Sequence, residues 1–394
     1  MSHRRRFLNV VTARDFAGEY SLRRVDLHSH QNNLFYPTAA AAAHASAAAN
    51  DSMKTMVWWM QAPTRSMLFL GRSFDWLALS ESKLVCMDRS SRDGFLYDAD
   101  VRSVTDTLPY YLHAEEDRHP KPICLPVAGA GAEEEDSVYV MERSPEPAGD
   151  TEESRLQFRA LVHRRRKEPA AVSNDDGSSR WHLDELPPPP YVVDAGYRST
   201  WIDSYTVIRS GASGAVCVST EGIGTYCFDT VSRAWSKAGD WALPFSGKVE
   251  HVPELGVLVG FWASECGHRL CASGDLSSAA GSLHRPMLRG WLNLGPPCGE
   301  WHKVKAPQLV SLGSGKFCLA EFFKASKGSH DHPFHEATFA VFTGVEVLRH
   351  GRGGDGYGDE LPENGASERG LRVIKHKSKR YILVDYNATV EFVF

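Results

Sequence analysis

An internal repeat is the feature that most constrains the fold of this chain. Residues 85–104 (VCMDRSSRDGFLYDADVRSV) align without a gap with residues 216–235 (VCVSTEGIGTYCFDTVSRAW). In both copies an apolar strand leads through a polar turn into a second strand, which ends in an aromatic residue followed by Asp98 or Asp229. A short turn then leads into a third strand. Three short antiparallel strands in one such stretch form a β-meander, so the repeat predicts an all-β fold assembled from similar sheets.

A second signal follows the third strand of a meander, where an acidic residue precedes a Leu-Pro pair. Proline has no N–H to donate, so it ends strand pairing and marks where the chain leaves one sheet for the next. A weaker version is the segment Trp301–Val304, followed by Pro307. The clear copies are Asp106-Thr-Leu108-Pro109, Asp184-Glu-Leu186-Pro187 and Asp240-Trp-Ala-Leu243-Pro244.

These two signals divide most of the chain into sheets of similar size. We place the blades of a β-propeller at roughly 66–112, 121–192, 202–246, 247–306 and 307–350.

Both ends of the chain also carry strand-like segments. They are residues 7–11 and 20–27 at one end, and residues 372–374, 380–384 and 390–394 at the other. Pairing the two ends in one blade closes a ring and leaves no open sheet edge. The sequence therefore predicts an all-β chain, a β-propeller of about six blades whose ring is closed by pairing of the N- and C-terminal strands.

Three stretches interrupt the single propeller domain that we expect over residues 1–394. Residues 37–53 contain an Ala-rich run, which is either a short helix, by Ala propensity, or a low-complexity mobile loop. Residues 129–179 combine acidic, basic and Gly/Ser-rich parts, and residues 351–370 are rich in Gly and acidic residues. We expect both to be mobile insertions.

The charge and hydropathy of the chain exclude several classes of partner. Its 394 residues carry a formal net charge of −5, whereas proteins that follow a phosphate backbone normally have a basic excess. No apolar run is long enough for a membrane span, and the first residues lack the apolar stretch of a secretion signal. We therefore expect a cytoplasmic or nuclear protein that binds neither membranes nor nucleic acid.

The chain has eight cysteines, scattered along its length without a Cys-x-x-Cys pair. Because no secretion signal precedes them, we expect reduced thiols, several of them buried as small hydrophobic residues.

One segment of the repeat resembles a known propeller motif. Residues 224–230 (GTYCFDT) together with Trp235 resemble a kelch repeat, in which a strand ends in an aromatic-Asp pair and a Trp follows. Kelch repeats typically carry paired glycines, and this chain has Ser219-Thr-Glu-Gly222 in their place. The resemblance implies a propeller of the kelch type, like that of galactose oxidase.

The chain as a whole resembles a plant family, abundant in grasses, that is catalogued as domain of unknown function 1668. Since that family has no established activity, the resemblance implies a fold and an intracellular plant origin but assigns no site residue. Kelch-like propellers in plants often recruit targets for ubiquitin ligases through an added F-box, and no F-box helices precede the first strand here. The segments that carry the resemblance are residues 5–11, Tyr36-Pro37 before the Ala run, 224–229, 241–245 and 371–381.

Two histidine-rich motifs suggest metal binding. Asp26-Leu-His28-Ser-His30 has the His-x-His pattern that opens the metal site of many barrel hydrolases. That site also needs ligands on parallel strands separated by helices, which this sequence does not predict, so we interpret the motif as a polar turn. Residues 330–336 (HDHPFHE) are rich in ligands but fall between two strand-like segments, so we interpret them as the loop of a hairpin.

Two glycine-rich motifs suggest nucleotide binding. Residues 351–356 (GRGGDG) match Gly-x-Gly-x-x-Gly, but the following residues cannot form the helix that would hold a pyrophosphate. Residues 313–316 (GSGK) lack the spacing of a phosphate loop, so we predict a hairpin turn. We interpret the basic run 164–167 as a solvated loop, and the repeated Asp98 and Asp229 as residues that cap turns.

These interpretations leave no catalytic, cofactor-binding or metal-binding residue to name. We therefore expect a non-catalytic protein-interaction module, with loops on one propeller face binding a protein, and a role as a substrate adaptor in protein turnover. The alternative is a small-ligand binder or an enzyme that uses the central channel, which requires His, Asp, Glu or Tyr side chains converging there.

Overall fold

The structure is a computed structural model. It describes residues 5–14, 18–49, 58–60, 65–71, 74–88, 91, 93–109, 122–127, 134–149, 157–164, 181–210, 213–264, 267–274, 276, 288–294, 301–325, 338–349, 371–381 and 388–394. The first strands are β1 (Phe7–Arg14), β2 (Glu19–Asp26), β3 (Trp58–Met60), β4 (Arg65–Leu70), β5 (Phe74–Ala78), β6 (Lys83–Asp88), β7 (Asp93–Asp98), β8 (Ser103–Leu108), β9 (Ile123–Val127), β10 (Glu134–Met141), β11 (Phe158–Arg164) and β12 (Trp181–Glu185). The remaining strands are β13 (Ser204–Ser210), β14 (Ser213–Thr220), β15 (Gly224–Asp229), β16 (Ala234–Gly239), β17 (Ser246–Val252), β18 (Val257–Ser264), β19 (Gly267–Gly274), β20 (Leu288–Asn293), β21 (Trp301–Gly313), β22 (Lys316–Ala325), β23 (Thr338–Arg349), β24 (Leu371–Tyr381) and β25 (Ala388–Val393). The helices are α1 (Ala39–Ala49) and the short 3-10 segments Pro190–Val193 and Pro253–Leu255.

The chain divides into two units. Unit 1 comprises Met1–Leu70, Val252–Asp275 and Met287–Phe394. Unit 2 comprises Gly71–His251 and Leu276–Pro286. In both units the described residues form mainly antiparallel sheets, so the prediction of an all-β chain is confirmed.

Unit 2 consists of successive four-stranded antiparallel meanders. Strands β5 to β8 form one sheet, β9 to β12 a second, and β13 to β16 a third, to which β17 adds in parallel next to β13. One core cluster joins the first two meanders, through Met87 and Val140, and another joins the second and third, through Phe158 and Phe228. Four-stranded sheets that follow one another in the chain and pack in order are propeller-like. The second and third meanders match the predicted blades at 121–192 and 202–246. The blade predicted at 66–112 starts too early, because β4 belongs to the sheet β25-β1-β2-β4 of unit 1 and the first meander begins at β5.

The internal repeat is reproduced at the level of single turns. Asp98 Oδ1 accepts the N–H of Asp100 at 2.8 Å, and Asp229 Oδ1 accepts the N–H of Ser232 at 2.7 Å. The hydrogen bond from Ser232 lowers the pKa of the Asp229 carboxyl. Arg102 and Arg233 occupy equivalent positions with φ values of 56° and 55°, in the left-handed region that non-glycine residues seldom adopt. The predicted role of both aspartates in capping a turn is confirmed.

The Leu-Pro motif marks the end of each meander, as predicted. Leu108 is the last residue of β8, while Leu186 and Leu243 follow β12 and β16, and all three side chains are buried. The acidic residue of the second copy, Asp184, forms an ion pair of 2.8 Å with Arg233 on the next meander. The motif therefore ends one sheet and also fastens it to its neighbour.

Both ends of the chain meet in one sheet of unit 1, with the order β25-β1-β2-β4. Asn9 and Phe394 exchange backbone hydrogen bonds of 2.7 and 2.9 Å, and Val10 lies opposite Val393. The predicted pairing of the N- and C-terminal strands is thus observed, although among the described residues β25 is the only C-terminal strand in this sheet.

The other predicted C-terminal strands belong elsewhere. Residues 371–381 form the single strand β24, which pairs with β23 in the sheet β21-β22-β23-β24-β3, while β18 to β20 form a further antiparallel sheet of unit 1. Residues 372–374 and 380–381, predicted as parts of two separate strands, belong to this one strand, and residues 382–384 lie outside the described residues. The strand continues through the polar residues His376 and Lys379, whose side chains are buried. The sequence pattern suggests a solvent-exposed break there, because polar residues usually face solvent.

The structure describes parts of two of the three predicted interruptions, and corrects the second. Within residues 37–53, Ala39–Ala49 form helix α1, the first of the two alternatives. Thr38 Oγ1 accepts the N–H of Ala41 at 3.1 Å and caps the helix. Within residues 129–179, the strands β10 and β11 form a regular antiparallel pair, because residues 137–141 and 158–163 supply buried side chains. Residues 351–370 lie outside the described residues.

Candidate functional site

In unit 1, residues 31–38 follow β2 and lie across the sheet formed by β22 to β24. We refer to them as the strap. Leu34 and Phe35 are buried in the same core cluster as Phe342 and Tyr381. The Leu34 carbonyl oxygen accepts the backbone N–H of Lys377 at 3.0 Å. A side chain at Gly344 would overlap that carbonyl, so the absence of a Cβ allows the strap to approach the sheet.

Beneath the strap, the His376 imidazole joins three elements. Its Nε2 lies 3.0 Å from Glu346 Oε2, and its Nδ1 accepts the backbone N–H of Tyr36 at 3.2 Å. Lys316 Nζ lies 3.2 Å from the other oxygen of Glu346. Because Nδ1 is an acceptor, the neutral ring carries its proton on Nε2 and donates it to the carboxylate.

Burial governs the charges of this cluster. The side chain of His376 is 0% exposed, and burial lowers the pKa of its imidazole, although the Glu346 carboxylate opposes the change. Lys379, whose Nζ donates to the carbonyl oxygen of Gln31 in the strap, has a pKa lowered by burial and by the nearby Lys377. With both ring nitrogens of His376 engaged, the closed arrangement leaves no lone pair for a metal or for proton abstraction. As observed, the cluster holds the strap in place.

A second group of side chains surrounds an exposed indole on unit 2. The Arg143 guanidinium carbon lies 5.0 Å from the centroid of the Trp201 ring and 5.3 Å from that of Tyr205. Trp201 is 49% exposed, whereas burial raises the pKa of the Tyr205 hydroxyl. We call Arg143, Trp201 and Tyr205 the aromatic platform.

Backbone and side-chain hydrogen bonds hold the aromatic platform in position. The N–H of Ile202 donates to the Arg143 carbonyl oxygen at 2.9 Å, and the Tyr197 hydroxyl donates to the Pro145 carbonyl oxygen at 2.9 Å. Ser199 Oγ donates to the Ser144 carbonyl oxygen at 3.2 Å. Residues 143–145 and 197–202 are therefore joined into one rigid support, so the indole is presented at little cost in conformational entropy.

The histidine motifs do not form a metal site in the part of the chain that the structure describes. His28 and His30 are exposed on the turn after β2, where Asp26 Oδ1 accepts the N–H of His28 at 2.9 Å. No group of three His, Cys, Asp or Glu side chains suited to a metal occurs among the described residues. The motif at 330–336 lies outside them.

The glycine motif at 313–316 is a hairpin turn between β21 and β22, as predicted. Ser314 and Gly315 both have positive φ, 53° and 71°, which two-residue hairpin loops of type I′ require. The motif at 351–356 and most of the basic run 164–167 lie outside the described residues, with only Arg164 placed, as the last residue of β11.

None of the described helices is long and apolar enough to cross a membrane.

The prediction of reduced cysteines was wrong for one pair. Cys217 and Cys227 lie directly opposite each other on β14 and β15, with Cα atoms 4.1 Å apart, and form a disulfide. Spacing along the chain does not reveal this pair, since it depends on the register between two strands. Cys86, Cys271 and Cys318 are free thiols.

Sequence reasoning missed two groups of residues. One is the group of His376, Glu346 and Lys316, which we call the strap cluster, and the other is the aromatic platform. The basic residues of β24 were visible in the segment Lys375–Arg380, but they resemble a solvated run. Trp201 follows a proline-rich connector, and nothing in its surroundings in the sequence distinguishes an exposed indole from a buried one.

A comparison with known protein families identifies the family to which the chain belongs. A family model described as a protein of unknown function, DUF1668, matches residues 5–381. The chain belongs to the DUF1668 family. This match confirms the resemblance drawn from the five sequence segments. No curated protein matches the DUF1668 chain.

Several solved structures match the DUF1668 chain at low similarity. TolB from Acinetobacter baumannii is 8% identical with a TM-score of 0.42, over 86% of this chain and 61% of TolB. Hydrazine synthase from Kuenenia stuttgartiensis is 13% identical with a TM-score of 0.34, over 68% of this chain and 61% of that enzyme chain. BamB from Moraxella catarrhalis is 10% identical with a TM-score of 0.32, over 85% of this chain and 78% of BamB. The DUF1668 chain thus spans 61% of the length of the first two proteins, and likenesses of this size carry no argument about activity or partners.

Proposed function

We propose that the DUF1668 chain is a non-catalytic protein-interaction module that binds its partner through the aromatic platform of unit 2. The observation that carries the proposal is the rigidly supported, exposed indole of Trp201. Trp, Tyr and Arg are the residue types that contribute most to binding at protein interfaces. An apolar side chain of this size, held in place on the surface, is a preferred anchor for another protein.

The finer architecture that we propose is one kelch-like propeller domain of about six blades, closed by the pairing of β1 with β25. The meanders of unit 2 and the terminal sheet of unit 1 support it. We further propose a cytoplasmic or nuclear location in a plant cell and a role as a substrate adaptor in protein turnover, with nucleic acid excluded by the net charge of −5.

An enzyme or small-ligand binder is the second candidate. The observation in its favour is the convergence of His376, Glu346 and Lys316 within hydrogen-bond distance. The strap covers these groups, and the two ring nitrogens of His376 are bonded to Tyr36 of the strap and to Glu346, so the closed form leaves neither nitrogen open to a substrate. The protein-interaction module is therefore the better supported function.

The substitution Trp201→Ala tests the proposal. We expect it to weaken partner binding by roughly 30-fold, because loss of a central aromatic anchor typically costs about 2 kcal/mol or more. Affinity purification from native tissue, quantified by mass spectrometry, compares the wild type, Trp201→Ala and Val231→Ala. Val231 is a matched control, since it is 58% exposed on the same unit and outside the aromatic platform.

Proteins captured by the wild type and by Val231→Ala but lost with Trp201→Ala would support the proposal, and ligase subunits among them would support the adaptor role. If all three forms recover the same proteins, or if none recovers any, the aromatic platform is not a binding surface. Thermal unfolding of each variant establishes that it is folded.

A further inference from the structure

The strap is held by a hydrogen bond that only a neutral histidine can accept. Tyr36 donates its backbone N–H to His376 Nδ1 at 3.2 Å. The opposite ring nitrogen, Nε2, lies 3.0 Å from Glu346 Oε2. The Phe35 ring, also part of the strap, lies 5.0 Å from the imidazole. A single side chain therefore connects β23, β24 and the strap.

We propose that His376 is an acid-sensitive latch, which holds residues 31–38 against the sheet while its imidazole is neutral and releases them when the imidazole is protonated. A proton added at Nδ1 turns that atom into a donor that faces the N–H of Tyr36. The bond to the strap is lost, while Nε2–H keeps its bond to Glu346. The latch thus opens on the strap side alone.

The two lysines near the His376 ring oppose its protonation, because a protonated imidazole would be a further positive charge beside them. Lys316 on β22 and Lys377 on β24 disfavour protonation of the ring. Among the described residues, Glu346 on β23 favours it, and this carboxylate also lies 3.2 Å from Lys316. Lys379, also on β24, is buried against the strap through Gln31.

Among the side chains that the structure describes, the other elements packed on β24 bring no further charge to the ring. Helix α1 contributes the exposed His44, and the residues of β3, Trp58-Trp-Met60, have no titratable side chain. On β19, the Arg269 guanidinium lies over the Trp262 ring at 5.3 Å. The response to pH is therefore assigned to His376.

The direction of the effect follows from the sign of the pKa change. Burial lowers the pKa of His376 below its ordinary value of 6.5. The neutral, strap-bound form contributes its full stability above about pH 6.5 and loses it as the pH falls through the lower pKa of the closed state. Release uncovers an apolar face that includes Phe342 and Tyr381, which pack with Leu34 and Phe35 when the strap is bound.

Amide hydrogen exchange of the intact chain tests the latch. We expect the protection of residues 31–38, corrected for intrinsic exchange, to fall by up to about tenfold per pH unit below about pH 6.5. In His376→Gln this dependence on pH should disappear. In His163→Gln it should remain as in the wild type, because His163 is a buried histidine of unit 2, paired with Asp106.

A second readout separates the latch from a general acid effect. NMR of histidine-labelled protein gives the midpoint of the His376 titration, identified as the resonance missing from His376→Gln. We expect it to coincide with the midpoint of strap release. Constant protection of residues 31–38 between about pH 7.5 and 5, or release at a midpoint well separated from that of His376, would overturn the proposal.

Discussion

The substitution Phe228→Ala is expected to lower the free energy of unfolding of unit 2 by about 3–5 kcal/mol, the range for removing a buried aromatic ring. Phe228 is fully buried where the second and third meanders meet. Its ring centroid lies 4.9 Å from that of Phe158, in an edge-on arrangement, and 5.3 Å from that of Trp235. The substitution leaves a cavity between two sheets that are already fixed by their own hydrogen bonds, so the gap cannot collapse easily.

Urea unfolding followed by Trp fluorescence, together with hydrogen exchange of β13 to β16, measures the loss. Val231→Ala, three residues further along the same turn, is the control and is expected to change stability by less than about 0.5 kcal/mol. A loss below about 1 kcal/mol for Phe228→Ala would mean that the repeated aromatic residue does not pack between meanders.

The substitution Glu346→Ala is expected to destabilise unit 1 by about 3–5 kcal/mol, as for removal of one partner from a buried ion pair. Lys316 would lose its counter-charge, and His376 would lose the acceptor of its Nε2–H. Both side chains are mostly buried, so water cannot easily take the place of the carboxylate.

Two further variants are compared with Glu346→Ala in the same unfolding experiment. Glu346→Gln keeps an acceptor for the imidazole and should lose less. Glu391→Ala breaks the half-exposed ion pair with Lys305 and should cost no more than about 1 kcal/mol. Equal losses for Glu346→Ala and Glu391→Ala would show that the strap cluster is not a buried ionic site.

Local patterns allowed the meanders and their turns to be predicted. The repeat at 85–104 and 216–235 shows its strands through apolar runs, and Asp98 and Asp229 mark turns that their own carboxylates cap. The Leu-Pro motif also predicted the ends of the meanders correctly, because proline lacks an N–H and ends strand pairing at its own position in the chain. These features depend on neighbours only a few residues away.

The remaining features depend on residues that are far apart in the sequence. The disulfide between Cys217 and Cys227 requires the register of two strands, and the strap cluster joins Tyr36 to His376 across most of the chain. Burial of Lys379 reverses the expectation that lysine faces solvent. Trp201 became a candidate for binding only when the structure showed it exposed and supported by Arg143.

The most direct test of the central claim, that the two ends of the chain complete one sheet, is a cross-link between β1 and β25. Val10 and Val393 lie directly opposite each other next to the hydrogen-bonded pair Asn9 and Phe394, and cysteines at such non-hydrogen-bonded positions are close enough to join. In the double variant Val10→Cys/Val393→Cys, we expect a non-reducing peptide map to show the two ends linked. The offset pair Val10→Cys/Phe392→Cys should link far less, because Phe392 faces the other side of the strand. Absence of the Val10→Cys/Val393→Cys link in folded protein would contradict the paired termini and, with them, the proposed closure of the propeller.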